Sequence, residues 1–207
     1  MAKVEHPLQA LAAFLPPGTF EKVAWYIQKY KVHLTISRER ASILGDYRHA
    51  HSNRTHRISV NGNLNAYSFL ITLLHELAHL LTFDQFGNKV QSHGKEWKKT
   101  FGDLLATFVG HKVFPPDIEK ELLASLSNPG ASSCAEEGLM RILRRYDPQK
   151  EGHLLVEDVP VGSLFRMKDG RVFKKGERLR KRFRCQEVSS GKFYLFSAVF
   201  EVELVNK

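Results

Sequence analysis

Two histidines and a glutamate sit in a stretch of chain that is otherwise almost wholly apolar. In Ser68–Phe83, SFLITLLHELAHLLTF, the polar residues are Ser68, Thr72, His75, Glu76, His79 and Thr82. Steps of mostly three or four gather them into one narrow stripe of a helix, and no Gly or Pro interrupts it. A helix apolar on most sides is buried, and buried imidazoles and carboxylates need partners. A metal ion supplies them. His75 and His79, four apart, project from one face and can grip a single ion. Glu76 is turned slightly aside, toward a zinc-bound water rather than the ion itself. This H-E-x-x-H pattern is that of zinc peptidases, in which the glutamate takes a proton from water as it attacks a carbonyl. A chance string of core histidines has no reason to fall on the single polar stripe.

A catalytic zinc site wants three protein ligands. The longer pattern H-E-x-x-H-x-x-G-x-x-H fails, with Thr82 and Gln85 where Gly and His would stand. Asp84, His93, Glu96 and Asp103 are the next candidates. His93 opens a second helical pattern, QSHGKEWKKTFGDLLATF, after the turn-rich FGNKVQS. Helix, loop and antiparallel helix bring His93 back to the first helix, which favours it. Glu96, one turn further on, is the alternative ligand or a supporting partner.

The segment HELAHLLTFDQFGNKVQSHGKEW resembles the SprT-like metallopeptidases, which include the bacterial SprT proteins and eukaryotic Spartan. That family pairs HExxH with a downstream His-Gly near a Trp or Phe, here His93-Gly94 and Trp97. The upstream RISVNGNLNAYSFLITLLHE is similar to the family's strand-then-helix lead-in, and the likeness covers about residues 20–110. It implies His75, His79 and His93 as zinc ligands and Glu76 as general base. It also implies a substrate class, since Spartan-type members digest proteins crosslinked to DNA and use DNA binding to license cutting.

The 207 residues suffice for one sizeable core and a small second module. No apolar run reads as a membrane span and the start lacks a signal-peptide pattern. Cys134 and Cys185 give no disulfide framework, so a cytoplasmic protein is expected. The net charge of +9 is uneven: +7 of it falls from Ser163 onward, where an anionic partner such as nucleic acid is expected.

The expected fold class is α+β: a helical, zincin-like catalytic module with a small β-sheet beside the HExxH helix, then a small antiparallel β module. The catalytic module is placed at 1–150 with its core at about 20–110, and the basic β module at 160–207. Residues 7–15 and Phe20–Tyr30 read as helices, Val32–Ser37, Ser42–Tyr47 and Arg57–Asn61 as strands, and Pro116–Leu126 and Cys134–Tyr146 as further helices. His49, His51 and His56 lie on a polar loop, where a second metal site is a minor alternative.

In RLRKRFRC, read as one strand, Arg178, Arg180, Arg182 and Arg184 point the same way, a ladder suited to a phosphate backbone, with Lys174 and Lys175 beside it. Among the aromatics, Phe193 and Phe200 read as core and Tyr194 as the one able to stack on a base. Some family members carry a cysteine zinc ribbon in this region; Cys185 alone cannot form one.

The resulting reading is a zinc-dependent endopeptidase acting on a protein or peptide substrate. DNA, single-stranded for preference, is a partner of its basic module. Two rivals stand beside it: a DNA-independent cytosolic peptidase, and a nucleic-acid-binding adaptor with a structural zinc whose fourth ligand is Glu96 or Asp84. Tyr47, Tyr67 and His111 are unranked candidates for stabilising the oxyanion, and the oligomeric state is not legible.

Overall fold

A computed structural model describes residues 7–40, 43–52, 54–130, 136–148 and 151–205. The fold is α+β, and the chain divides into two compact units, 1–147 and 148–207.

The first unit is assembled around one helix. A 3-10 turn at Leu8–Phe14, where a regular helix is expected, leads into α1 (Phe20–Lys29). Three strands follow: β1 (His33–Ser37), β2 (Gly45–Arg48) and β3 (Arg57–Asn61). β3 lies in the middle, parallel to β1 and antiparallel to β2, so β2 is an edge. Ile58 and Val60 of β3 are fully buried. The long helix α2 (Ala66–Phe86) comes next. Its start is set by Asn65, whose side chain accepts from the Ser68 N–H at 2.9 Å and donates to the Leu143 carbonyl and the Asp147 carboxylate. Its end is Gly87, at φ 60°, where a Cβ would be strained.

α2 is buried on nearly every side: Phe69, Leu70, Leu73, Leu74, Leu77 and Leu80 have no measurable exposure. By length and composition α2 would pass for a membrane span, contrary to the sequence expectation, but in this unit most of its surface is covered by protein. The covering comes from the sheet and from α3 (Lys95–Gly110), whose Trp97, Phe101, Leu105 and Phe108 face the core. α4 (Pro116–Ser125) begins on a proline at its first position, and α5 (Glu137–Leu143) is shorter than the expected 134–146 helix. Cys134 lies outside the described residues.

The second unit is a six-stranded antiparallel sheet: β4 (His153–Leu155), β5 (Leu164–Arg166), β6 (Val172–Leu179), β7 (Arg182–Glu187), β8 (Phe193–Ser197) and β9 (Glu201–Leu204). Their order is β4-β9-β5-β6-β7-β8. β4 precedes the expected start of the module at 160, because it pairs with β9. Phe165, Phe173, Cys185, Phe196 and Val202 form the core.

Three expectations fail in this unit. RLRKRFRC is not one strand: Leu179 pairs with Arg182, and the chain reverses at Arg180-Lys181 with Arg180 at φ 52°. Lys175 is not a surface cation. It is 3% exposed, sits 4.3 Å over the Phe183 ring, and donates to the carbonyls of Glu157 and Val159. Burial holds its pKa below the usual lysine value. Finally, Phe193 and Phe200 are exposed rather than core: Phe193 has the strand parity opposite to buried Phe196, and Phe200 lies in the turn between β8 and β9.

Candidate metal centre

His75 and His79 occupy successive turns of α2, and the 87–94 loop returns the chain so that His93 arrives just before α3. The Nε2 atoms of His79 and His93 stand 3.2 and 3.4 Å from the Nε2 of His75. Four ligands at about 2.05 Å around a zinc ion define a tetrahedron whose edge is about 3.35 Å. The two spacings are that edge. Among the described residues, His75, His79 and His93 are the group that could hold a metal ion.

The imidazoles are kept in the form a metal needs. Burial, and then repulsion from His79 and His93, lowers the His75 pKa to about 3. Burial and His93 lower that of His79 to about 4. Burial, and then Lys98, lowers that of His93. Three neutral nitrogens aimed at one point repel through their lone pairs unless a cation sits between them. Trp97, fully buried, backs all three rings, with centroids 4.6, 5.1 and 4.6 Å from those of His75, His79 and His93. The Nδ1 of His75 is buried without a hydrogen-bond partner among the described residues.

Glu76 is 5% exposed. Burial and then Asp46 raise its pKa to about 8, against the pull of Arg40. Its neighbour is the edge strand. A Cβ on Gly45 would lie 2.5 Å from Glu76 Oε1 and 2.8 Å from Thr72 Cγ2, so β2 reaches this close only because residue 45 is glycine. Arg40 and Asn61 fix that strand's approach. Arg40 Nε donates to Asn61 Oδ1 at 2.7 Å and its Nη1 to Ser59 Oγ at 3.0 Å, while Asn61 Nδ2 donates to the carbonyls of Arg40 and Ile43.

Of the oxyanion candidates, Tyr47 stands at the site. Its ring is parallel to that of His79, 6.4 Å between centroids, and its hydroxyl is 2.9 Å from His56 Nδ1. The Ala50 N–H donates to that same nitrogen, so Nδ1 is an acceptor and Tyr47 donates to it. Tyr67 packs against Phe114 and Tyr146, and His111 bonds Lys22 and the Thr107 carbonyl at the far end of α3. Neither belongs to the site.

The alternative ligands stay apart. Asp103 pairs with Lys99 at 2.6 Å, and Glu96 lies 4.0 Å from Lys95. Neither they nor Asp84 join the histidine group. The loop histidines do not gather either: His49 stacks on Phe83 at 4.5 Å, His51 bonds Ser52, and His56 serves Tyr47.

The site is open on two sides. A cleft of about 600 Å³ adjoins His93, lined by Lys95, Lys98, Lys99 and Asn128. A pocket of about 230 Å³ adjoins His79, walled by Tyr47, His49, Phe83 and Val90. Gly45 and the Arg40–Asn61 clamp escape a sequence reading. Their role depends on β2 meeting α2 across space, and nothing local in ILGDY signals it.

The basic residues expected to meet nucleic acid are scattered by the hairpin. Arg182 and Arg184 alternate outward from β7, Lys174 is exposed on β6, and Arg180 is exposed in the turn. Arg178 lies opposite Phe183, on the other face, and Lys175 is buried.

Comparison with known proteins gives one family and one relative. Residues 19–115 match the SprT-like family. A stretch of 31 residues is 61% identical to Protein SprT of Glaesserella parasuis serovar 5 (strain SH0165), covering 15% of this chain and 19% of that protein. The chain thus matches about a fifth of the length of this curated relative. No solved structure matches.

Proposed function

Residues 19–115 being a SprT-like segment, we propose that this protein is a zinc-dependent endopeptidase, with His75, His79 and His93 holding the ion and Glu76 as its general base. The observation that carries this reading is the convergence of three neutral imidazole nitrogens at tetrahedral spacing beside a buried glutamate. Zinc at that point supplies Lewis acidity to water and to the scissile carbonyl.

The chain's own residues do the rest. With a cation held by the triad, Glu76 would be ionised despite its burial and ready to accept a proton from the attacking water. Glu76 then returns that proton to the leaving amine. Trp97 closes the inner side of the triad against solvent. β2 offers a free edge beside Glu76, along which an extended substrate can pair through main-chain hydrogen bonds. The substrate class we propose is protein associated with DNA, supported by the likeness to the family and by the basic second unit.

The test compares wild type with Glu76→Gln and His93→Ala on a loosely folded protein, with bound zinc measured directly. Glu76→Gln is expected to keep its zinc and lose turnover; His93→Ala is expected to lose zinc. Turnover surviving in the first, or unchanged zinc in the second, overturns the assignment. Adding single-stranded DNA separates a DNA-licensed protease, whose cutting needs DNA and falls with salt, from one indifferent to both.

A further inference from the structure

The two openings beside the histidine group differ in kind. The one next to His93 is wide, about 600 Å³, and is bordered by Lys95, Lys98 and Lys99. The one next to His79 is about 230 Å³, smaller than the roughly 300 Å³ at which pockets begin to take whole small molecules. It has room for one side chain.

Three segments wall this smaller hollow. Tyr47 and His49 come from β2 and the residues just after it, Phe83 from the end of α2, and Val90 and Gln91 from the loop that follows. Each wall is fixed by its own contacts. The Tyr47 ring lies parallel to that of His79, and its hydroxyl is held by His56. His49 stacks on Phe83 with 4.5 Å between centroids and 12° between planes, and His56 meets Phe83 edge-on at 6.1 Å. The loop is tied down at both ends: the Gly87 N–H donates to the Phe83 carbonyl, and the Gly94 N–H donates to the Gln91 carbonyl at 3.0 Å. The hollow is therefore formed before anything enters it.

Its lining holds no carboxylate, lysine or arginine among the described residues. Asp84 lines a separate hollow with Tyr26 and Tyr30, although its charge reaches Tyr47 and His56. A charged side chain entering beside His79 loses its hydration and meets no counter-ion in the walls. A flat apolar ring meets the rings of Tyr47, His49 and Phe83 and the methyls of Val90. His79 is at once a wall of the hollow and a member of the histidine group, so an occupant stands next to the reacting bond. Residues of an extended chain are about 3.3 Å apart, which puts the occupant one or two positions from that bond.

We propose that this hollow is a side-chain subsite, and that it directs cutting to bonds flanked by a large uncharged residue, phenylalanine above all. The inference rests on the peptidase reading. Main-chain pairing along β2 seats a substrate of any sequence, and the hollow sets where along it the cut falls.

The experiment uses the zinc-loaded full chain and unstructured peptides of Ala, Ser and Gly that carry one variable residue: Phe, Ala, Lys or Glu. The Phe peptide is expected to be cut at one fixed step from Phe, with the cut moving as Phe is moved. Its kcat/KM is expected to exceed that of the Ala peptide by about 10-fold to 150-fold, the worth of burying one such side chain. Lys and Glu are expected at or below the Ala level. Val90→Phe fills the hollow and is expected to erase most of the Phe-to-Ala ratio with bound zinc unchanged; Val90→Ala deepens it and is expected to raise Trp relative to Phe. Melting curves check that each variant is folded.

A second readout needs no turnover. The same peptide with benzoylphenylalanine in place of Phe is irradiated with the protein, and the label is expected on Tyr47, Phe83 or Val90. Labelling there without any cleavage keeps the subsite and overturns the peptidase reading. Label elsewhere or none overturns the subsite. So does cleavage indifferent to Phe, a preference for Lys drawn by Asp84, or a Phe preference that survives in Val90→Phe.

Discussion

Gly45→Ala is the sharpest probe of how the edge strand and Glu76, the proposed general base, are fitted together. The added methyl would meet Glu76 Oε1 at 2.5 Å, Thr72 Cγ2 at 2.8 Å and Glu76 Cγ at 2.9 Å. Ordinary carbon contacts lie at about 3.5–4.0 Å, so roughly 1 Å of room must be found. Rotating the carboxylate away relieves the first contact but not the other two, so β2 must also back off. Overpacking of this kind costs about 1–3 kcal/mol, and a chain of this size loses about 2–4 °C of melting temperature per kcal/mol. A misplacement of about 1 Å at a catalytic group lowers the rate about 100-fold. None of the three histidines is touched, so zinc content stays at the wild-type level. The assays are peptidase turnover, bound zinc and thermal melting on one preparation. Adding Glu76→Ala to Gly45→Ala removes two of the three clashes, so the pair is expected to be less destabilised than the two single changes together. Wild-type turnover and melting in Gly45→Ala would refute the contact between β2 and Glu76, and with it the edge-strand route for substrate.

Other predictions follow from the same structure. Unfolded imidazoles take up protons near pH 6.5 but folded His75 and His79 only near 3 and 4, so the metal-free chain loses stability as pH falls through that window. Glu76 behaves oppositely: folded it holds its proton to about 8 and unfolded only to 4.5, so stability also falls as pH rises through 4.5–8. Melting of the metal-free protein should therefore peak between pH 6 and 7, roughly where these opposed proton uptakes balance, and Glu76→Gln or added zinc should remove the alkaline decline. Asn61→Ala strips partners from Arg40 and from the Ile43 carbonyl; a loss of about 1–3 kcal/mol in denaturant melts is expected, and a loss under 0.5 kcal/mol would show the clamp to be idle. Lys175→Ala removes the ammonium that donates to the Glu157 and Val159 carbonyls and should lower the melting transition of the second unit, whereas Arg180→Ala, in the exposed turn, should not.

What the sequence makes legible is what is local. The period of α2 alone places His75, Glu76 and His79 on one stripe, and a helix–loop–helix returns His93 to it. The hairpin at Arg180-Lys181 carries none of the Gly, Asn or Pro signals that mark a two-residue turn, so the charged run reads straight through it. Lys175 was within reach of the pattern, since it shares strand parity with Phe173, but a lysine pair before a glycine looks like surface. Phe193 and Phe200 mislead because aromatics in a small module usually fill its core. Here Phe165, Phe173, Phe183 and Phe196 have already done so, and parity turns Phe193 outward. Gly45 is silent because a close approach between a strand and a helix leaves no trace in either segment.

The all-round burial of α2 has a consequence for synthesis. This helix leaves the ribosome before any of the segments that cover its outer side. At about 5–20 residues per second, the interval from Phe86 to Leu143, the end of α5, lasts about 3–11 s. Throughout that interval the most apolar segment of the chain is made but not yet enclosed, and for its first part His93 has not been translated either. The nascent chain thus passes through a period in which the apolar surface of α2 is uncovered and its two histidines cannot yet be joined by His93. The yield of folded protein should then depend on what shields α2 during translation as well as on the stability of the finished fold.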